Sequence, residues 1–144
     1  MDLDAVINEE ISHYPGSSIR YENAPGLILA DDLLREVFAN LIGNAVKHGG
    51  PDVEITIRTE DAGGVVRVSV EDTGPGVPDD QKEAIFHRYE QQKRGVGEGL
   101  GLYLVQILID RYGGKVWVDD RVPGRPDGGA AFVFTLQKAS PVPG

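Results

Sequence analysis

Apolar side chains recur along this 144-residue chain at two different periods. Leu34, Val37, Phe38, Leu41, Ala45 and Val46 fall three and four apart, the spacing that gathers side chains on one face of an α-helix. Asp31 or Asp32 is placed to cap that helix, and His48-Gly49-Gly50-Pro51 stops it. A second apolar helix is predicted from residue 100 to residue 112, ended by Gly113-Gly114. Elsewhere the period is two. Val53, Ile55 and Ile57 alternate with polar residues, as do Val66, Val68 and Val70, and a turn at 61–64 joins them into an antiparallel hairpin. Residues 115–119 and 131–136 predict a last pair of strands across a loop at 123–129. Residues 18–22 and 27–30 read as short strands around Asn23-Ala24-Pro25-Gly26. Residues 1–17 read as a connecting segment with a short helical start, closed by Tyr14-Pro15-Gly16, and residues 138–144 as a tail. There is no internal repeat.

The order strand, helix, hairpin, glycine-rich loop, helix, hairpin predicts an α/β two-layer sandwich of the α+β kind, a sheet with helices on one face. It is not a strictly alternating βαβ chain. Residues 18–137 are expected to form one domain, and 40% hydrophobic residues suffice for its core. The chain has no cysteine, which excludes disulfides, thiolate metal sites and a cysteine nucleophile. A formal charge of −9 argues against a nucleic-acid surface. No apolar run approaches the roughly 20 residues of a membrane span, so no membrane contact is expected of this stretch.

Three polar or glycine-rich segments carry the chemistry. The first is Asn40-Leu41-Ile42-Gly43-Asn44-Ala45-Val46-Lys47-His48, on the predicted helix. Glu36, Asn40, Asn44 and Lys47 share the face opposite the apolar one. The second is Asp72-Thr73-Gly74-Pro75-Gly76, at the end of a hydrophobic strand. A carboxylate there accepts hydrogen bonds only, so it suits the amino donor of adenine and repels the guanine carbonyl. Gly74 and Gly76 let the backbone pass close to a base. The third is Gly95-Val96-Gly97-Glu98-Gly99-Leu100-Gly101-Leu102, bare N–H groups running into a helix N-terminus, which favours anions. No GxxxxGK[ST] occurs, and the glycines do not fit GxGxxG, so the P-loop and the dinucleotide fingerprint both fail.

In this order the segments resemble the boxes of the ATP-binding catalytic domain of sensor histidine kinases, in the Bergerat-fold superfamily that includes DNA gyrase and the heat-shock chaperone ATPases. The N box matches residues 40–48 and the glycine boxes match 72–76 and 97–102. The F box matches Ile85-Phe86-His87-Arg88-Tyr89. The resemblance covers roughly residues 18–136. It implies a mixed, mostly antiparallel sheet of about five strands under three helices, with ATP held between the helices and a lid. By the same resemblance Asn44 is the Mg²⁺ ligand and Lys47 and His48 approach the phosphates. Mg²⁺ keeps several waters and needs few protein ligands, which a neutral amide oxygen satisfies. Asn40, Asn44 and Lys47 become the catalytic set. Asp72, Gly74, Gly76, Arg88, Gly97, Gly99, Leu100, Gly101 and Leu102 join the nucleotide site.

The implied partners are a histidine-bearing dimerisation domain and, through it, a response regulator, with dimerisation only through domains this chain lacks. Residues 1–17 would be the linker from that phosphoacceptor domain. The expected location is the cytoplasm, with a membrane-anchored parent. Residues 90–96, Glu90-Gln91-Gln92-Lys93-Arg94-Gly95-Val96, are polar and read as a short lid. Lys93 and Arg94 either reach a phosphate or stand as a solvated basic pair. Phe86 reads as a core plug beneath the lid, and Trp117, Phe132 and Phe134 as core. His13 lacks the acidic neighbour of a phosphoacceptor histidine, since Tyr14 follows it. The family often places Ser or Thr near the adenine where this chain has Ala130-Ala131.

Position 40 separates the competing functions. The ATP-hydrolysing relatives carry there a glutamate that activates water, and an asparagine cannot accept a proton at neutral pH. The alternatives are an ATPase or a serine-kinase regulator of the anti-sigma type, against which Asn40 argues, and a nucleotide-binding interaction module.

Overall fold

The computed structural model describes residues 1–22, 26–86 and 98–139, with the side chains of residues 98–100 outside that description. Three α-helices, α1 (Leu3–Ile11), α2 (Leu34–Gly49) and α3 (Glu98–Arg111), accompany five strands. The strands are β1 (Ser18–Tyr21), β2 (Glu54–Asp61), β3 (Val65–Asp72), β4 (Val116–Val122) and β5 (Arg125–Gln137). A short 3-10 turn, Asp79–Gln81, follows β3.

The sheet runs β1-β2-β3-β5-β4. β1 is parallel to β2, with Ile19 opposite Ile55, and every other pairing is antiparallel. The predicted hairpin is present as β2 and β3. In each strand alternate residues face the helices: Ile55 and Ile57, Val68 and Val70, Phe132, Phe134 and Leu136 are all buried. They meet Leu34, Val37, Phe38, Leu41 and Ala45 of α2, also buried, with Val46 partly so. Phe38 and Phe134 pack edge to face at 5.5 Å between ring centres. The expected two-layer sandwich is therefore the fold.

The short helical start expected in residues 1–17 is α1, and it docks on the core: Asp2 caps it through the Ala5 N–H, and Leu3, Val6 and Ile7 are buried. A nine-residue helix with an apolar side gains more by docking on α2 than by staying in solvent. Residues 27–30 form no strand. Ile28 is instead buried, with isolated bridges joining Leu27 to Asp2 and Ile28 to Lys138. Trp117 is half-buried on the sheet face away from the helices, where its indole N–H donates to Asp119 Oδ2 at 2.8 Å. Strand alternation puts Val116 and Val118 on the inner side, so Trp117 points the other way.

Candidate functional site

α2 carries its polar stripe along the groove beside α3. Asp31 holds the start of the helix: its Oδ1 accepts the Leu33 N–H at 3.0 Å and the Tyr112 hydroxyl at 2.5 Å. Those bonds and Arg111, 3.5 Å away, tie the end of α3 to the start of α2. The Tyr112 hydroxyl bond, more than any other contact, holds the Asp31 carboxyl below its usual range. The far end of α2 stops at Gly50, whose φ of +85° no side-chain residue adopts readily.

Asp72 ends β3 with only 7% of its surface exposed. Its Oδ1 accepts the Gly74 N–H at 2.9 Å, which folds the glycine loop back on the carboxylate. Burial pushes the Asp72 carboxyl above the ordinary 3.8. The N–H groups of Gly74 and Ala130 and the positive side of Arg121 and His48 oppose that rise without cancelling it. The loop is held at both ends. Thr73 exchanges two hydrogen bonds with the Glu54 backbone, and Lys82 reaches Asp120 of β4 at 2.7 Å. Gly76 has a φ of +77°, and a Cβ there would stand 2.0 Å from the Pro126 carbonyl, so only glycine fits.

Two adjoining cavities result. One, of about 290 Å³, has Asp72 in its wall together with Gly76, Val77, Ile85, Ala130 and Phe132. The other, of about 150 Å³, is lined by Ala39, Asn40, Gly43, Lys47 and Gly101. Asn44, His48 and Leu102 belong to both and join them. The first is a slot of mixed lining with one buried carboxylate; the second, also mixed, carries Asn40, Asn44, Lys47 and His48 in its wall and is the more open.

Asn40 sits where the helices meet. Its Nδ2 donates to the Glu36 carbonyl at 2.6 Å. A Cβ on Gly101 would stand 2.6 Å from its Oδ1, so glycine at 101 permits this approach. Phe86 is buried against Phe132, edge to face at 6.1 Å, as a plug under the larger cavity. Phe134 is core, while Phe132 both packs and lines the cavity.

The structure thus brings together Asn40, Asn44, Lys47, His48, Asp72, Gly76, Gly101 and Leu102 from separate parts of the sequence. Gly74 contributes through its N–H to Asp72 rather than through the cavity wall. Gly99 and Leu100 fall in the first turn of α3, which begins at Glu98 within the glycine segment. Arg88, Lys93, Arg94 and Gly97 lie outside the described residues. Sequence reasoning misses Val77, Pro78, Ala39 and Gly43 as wall residues. For Val77 the one signal is an apolar side chain directly after a glycine that must turn the chain.

Among the described residues no three His, Asp or Glu side chains form a metal cage, so a cation here would need ligands beyond the protein, such as water or a phosphate. Asn44 offers a neutral oxygen where the two cavities join.

The chain has known relatives in sequence and in fold. The model of the Histidine kinase-, DNA gyrase B-, and HSP90-like ATPase family matches residues 30–140. The adaptive-response sensory kinase SasA of Crocosphaera subtropica is 40% identical over 122 residues, 80% of this chain and 30% of that protein. The chain therefore spans about a third or less of the curated relatives it matches. Among solved structures, the mycobacterial sensor histidine kinase MprB superposes with a TM-score of 0.86 at 23% identity, covering 98% of this chain and 97% of that one. Histidine kinase ThkA, solved in complex with the response regulator protein TrrA, superposes with a TM-score of 0.76 at 28% identity, covering 96% and 41%. With the family model spanning residues 30–140, and the catalytic domain of histidine kinase ThkA 30% identical over 96% of this chain and 95% of that one at a TM-score of 0.79, the chain belongs to the histidine kinase-, DNA gyrase B- and HSP90-like ATPase family and resembles its histidine-kinase members.

Proposed function

We propose that this domain binds Mg·ATP and presents the γ-phosphate to a histidine on a separate helical dimerisation domain, from which a response regulator takes it. The observation that carries the reading is the placement of Asp72, a buried carboxylate in a slot joined through Asn44 to a second cavity that Asn40 and Lys47 line. Adenine enters that slot with its amino group donating to Asp72. The phosphates run along α2 past Lys47, and the glycines at the start of α3 leave N–H groups for them. Asn44 holds Mg²⁺, which neutralises phosphate charge when bound.

In the transfer step a neutral imidazole nitrogen attacks the γ-phosphorus, the bond to the β–γ bridging oxygen breaks, ADP leaves, and the other ring nitrogen releases its proton to solvent. The domain supplies position and charge neutralisation, not a base. Asn40 supports transfer over hydrolysis: its amide is engaged with Glu36 and packed on Gly101, and it cannot deprotonate water. The cytoplasm, where ATP is available, is the proposed place of action.

The test mixes the domain with a dimerisation domain and labelled ATP. Acid-labile, base-stable label on a histidine is the expected result. Steady hydrolysis by the domain alone would move the chain to the ATPase branch, and acid-stable label on a partner serine to the regulator kinases.

A further inference from the structure

The wall of the cavity that holds Asn40 and Lys47 is backed by a residue from outside the glycine-rich and asparagine segments. Tyr14 follows α1, and its hydroxyl oxygen stands 3.2 Å from where a Cβ on Gly43 would be. Glycine in mid-helix costs ~1 kcal/mol against alanine. Here it leaves the backbone of α2 bare, and the phenol lies on it. Gly43 is itself a wall of the cavity that contains Asn40, Asn44 and Lys47. Tyr14 is not itself in the wall of that cavity, but its hydroxyl lies against a residue that is.

The direction of a bound nucleotide places its end there. The loop after Asp72 touches the C-terminal end of α2, since a Cβ on Gly74 would meet Gly49 Cα at 2.9 Å. Gly43 lies six residues earlier, ~9 Å back along the axis at about 1.5 Å per residue. A nucleotide with its base on Asp72 thus extends its phosphates toward Gly43 and Asn40. The Tyr14 hydroxyl makes no hydrogen bond among the described residues. Burial, and then the nearby Glu10 carboxylate, raise its pKa above the ordinary value, so it stays protonated and able to donate. Glu10 is itself buried and lies 3.3 Å from His13 Nδ1.

We propose that Tyr14 is a further substrate-binding residue, its hydroxyl donating a hydrogen bond to the terminal phosphate of ATP over the bare backbone of Gly43. This rests on the ATP reading above and assigns a contact within it.

Calorimetric titration of this chain and its Tyr14→Phe variant with ATP and with ADP, both with Mg²⁺, tests it, with melting temperatures taken alongside. The variant keeps the ring and removes only the hydroxyl. A hydrogen bond to a charged acceptor corresponds to roughly a tenfold effect or more. The expected result is an ATP affinity about tenfold weaker, an ADP affinity changed less than about twofold, and an unchanged melting temperature. Unchanged ATP affinity overturns the proposal. Equal losses for ATP and ADP overturn it too, and make Tyr14 a packing residue. If the unaltered chain binds neither nucleotide, the ATP reading fails first and this inference with it.

Discussion

Replacing Asp72 by asparagine separates the cost of the site to the fold from its value to the ligand. Asparagine keeps an oxygen for the Gly74 N–H, now 2.9 Å away, so the loop stays folded. Its amide nitrogen takes the place of the second carboxylate oxygen, and a donor then faces the amino donor of adenine. With 7% of Asp72 exposed, water has little room to relieve that clash. A hydrogen bond to a charged group contributes about 1.5–3 kcal/mol, so ATP affinity should fall about 10- to 150-fold. Stability should move the other way. Burial makes the carboxyl's pKa higher in the folded chain than its ordinary 3.8, so the ionised form opposes folding at neutral pH. That cost is full above the raised folded value, shrinks as pH falls toward 3.8, and is gone below it. The asparagine variant carries no charge at this position at any of these pH values. The melting temperature of Asp72→Asn minus that of the unaltered chain should be positive near pH 7.5 and decline on acidification. Scanning calorimetry across pH, with ATP titration at pH 7.5, measures both quantities. An unchanged ATP affinity, or a difference that grows as pH falls, would refute the argument.

Asn44→Ala should cost the fold less than about 1 kcal/mol, since the side chain lies on the polar face of α2, yet abolish the Mg²⁺ dependence of ATP binding. Paired melts and titrations with and without Mg²⁺ check it, and a large loss of stability with normal binding would make Asn44 structural. Gly101→Ala places a Cβ 2.6 Å from Asn40 Oδ1 and forces that amide off the Glu36 carbonyl. Alanine's gain of ~1 kcal/mol in a helix offsets much of the strain, so stability should stay close to normal while ATP affinity drops. The unaltered domain alone should turn over no ATP in a coupled assay. Asn40→Glu should raise the rate by supplying a carboxylate; background turnover equal to that of the hydrolysing relatives would contradict the role given to Asn40.

Local pattern carries much of this structure. The 3.6-residue period of α2, the alternation of β2 and β3, and the glycine at the end of each of the two longer helices act over a few residues, so they can be read without knowing what lies across the core. The same is true of Asp72: a carboxylate ending an apolar strand and followed by glycines is delivered to the rim of a buried layer by the strand itself. Spacing alone places Asn40, Asn44 and Lys47 on one helix face.

What the sequence does not contain is who meets whom across distance. The docking of α1, the parallel pairing of β1 on β2, and the position of β5 between β3 and β4 depend on contacts between segments many residues apart. Trp117 reads as core by composition, but pleat alternation turns it to the open face. The close approach of Asn40 to Gly101 and of Tyr14 to Gly43 arises only when helices and loops pack, because a missing Cβ has meaning only against the atom that occupies its place. Sequence determined the elements and most of the chemistry they carry. Packing decided that two cavities would join at Asn44, and that a tyrosine from the start of the chain would stand against Gly43 in the wall of one of them.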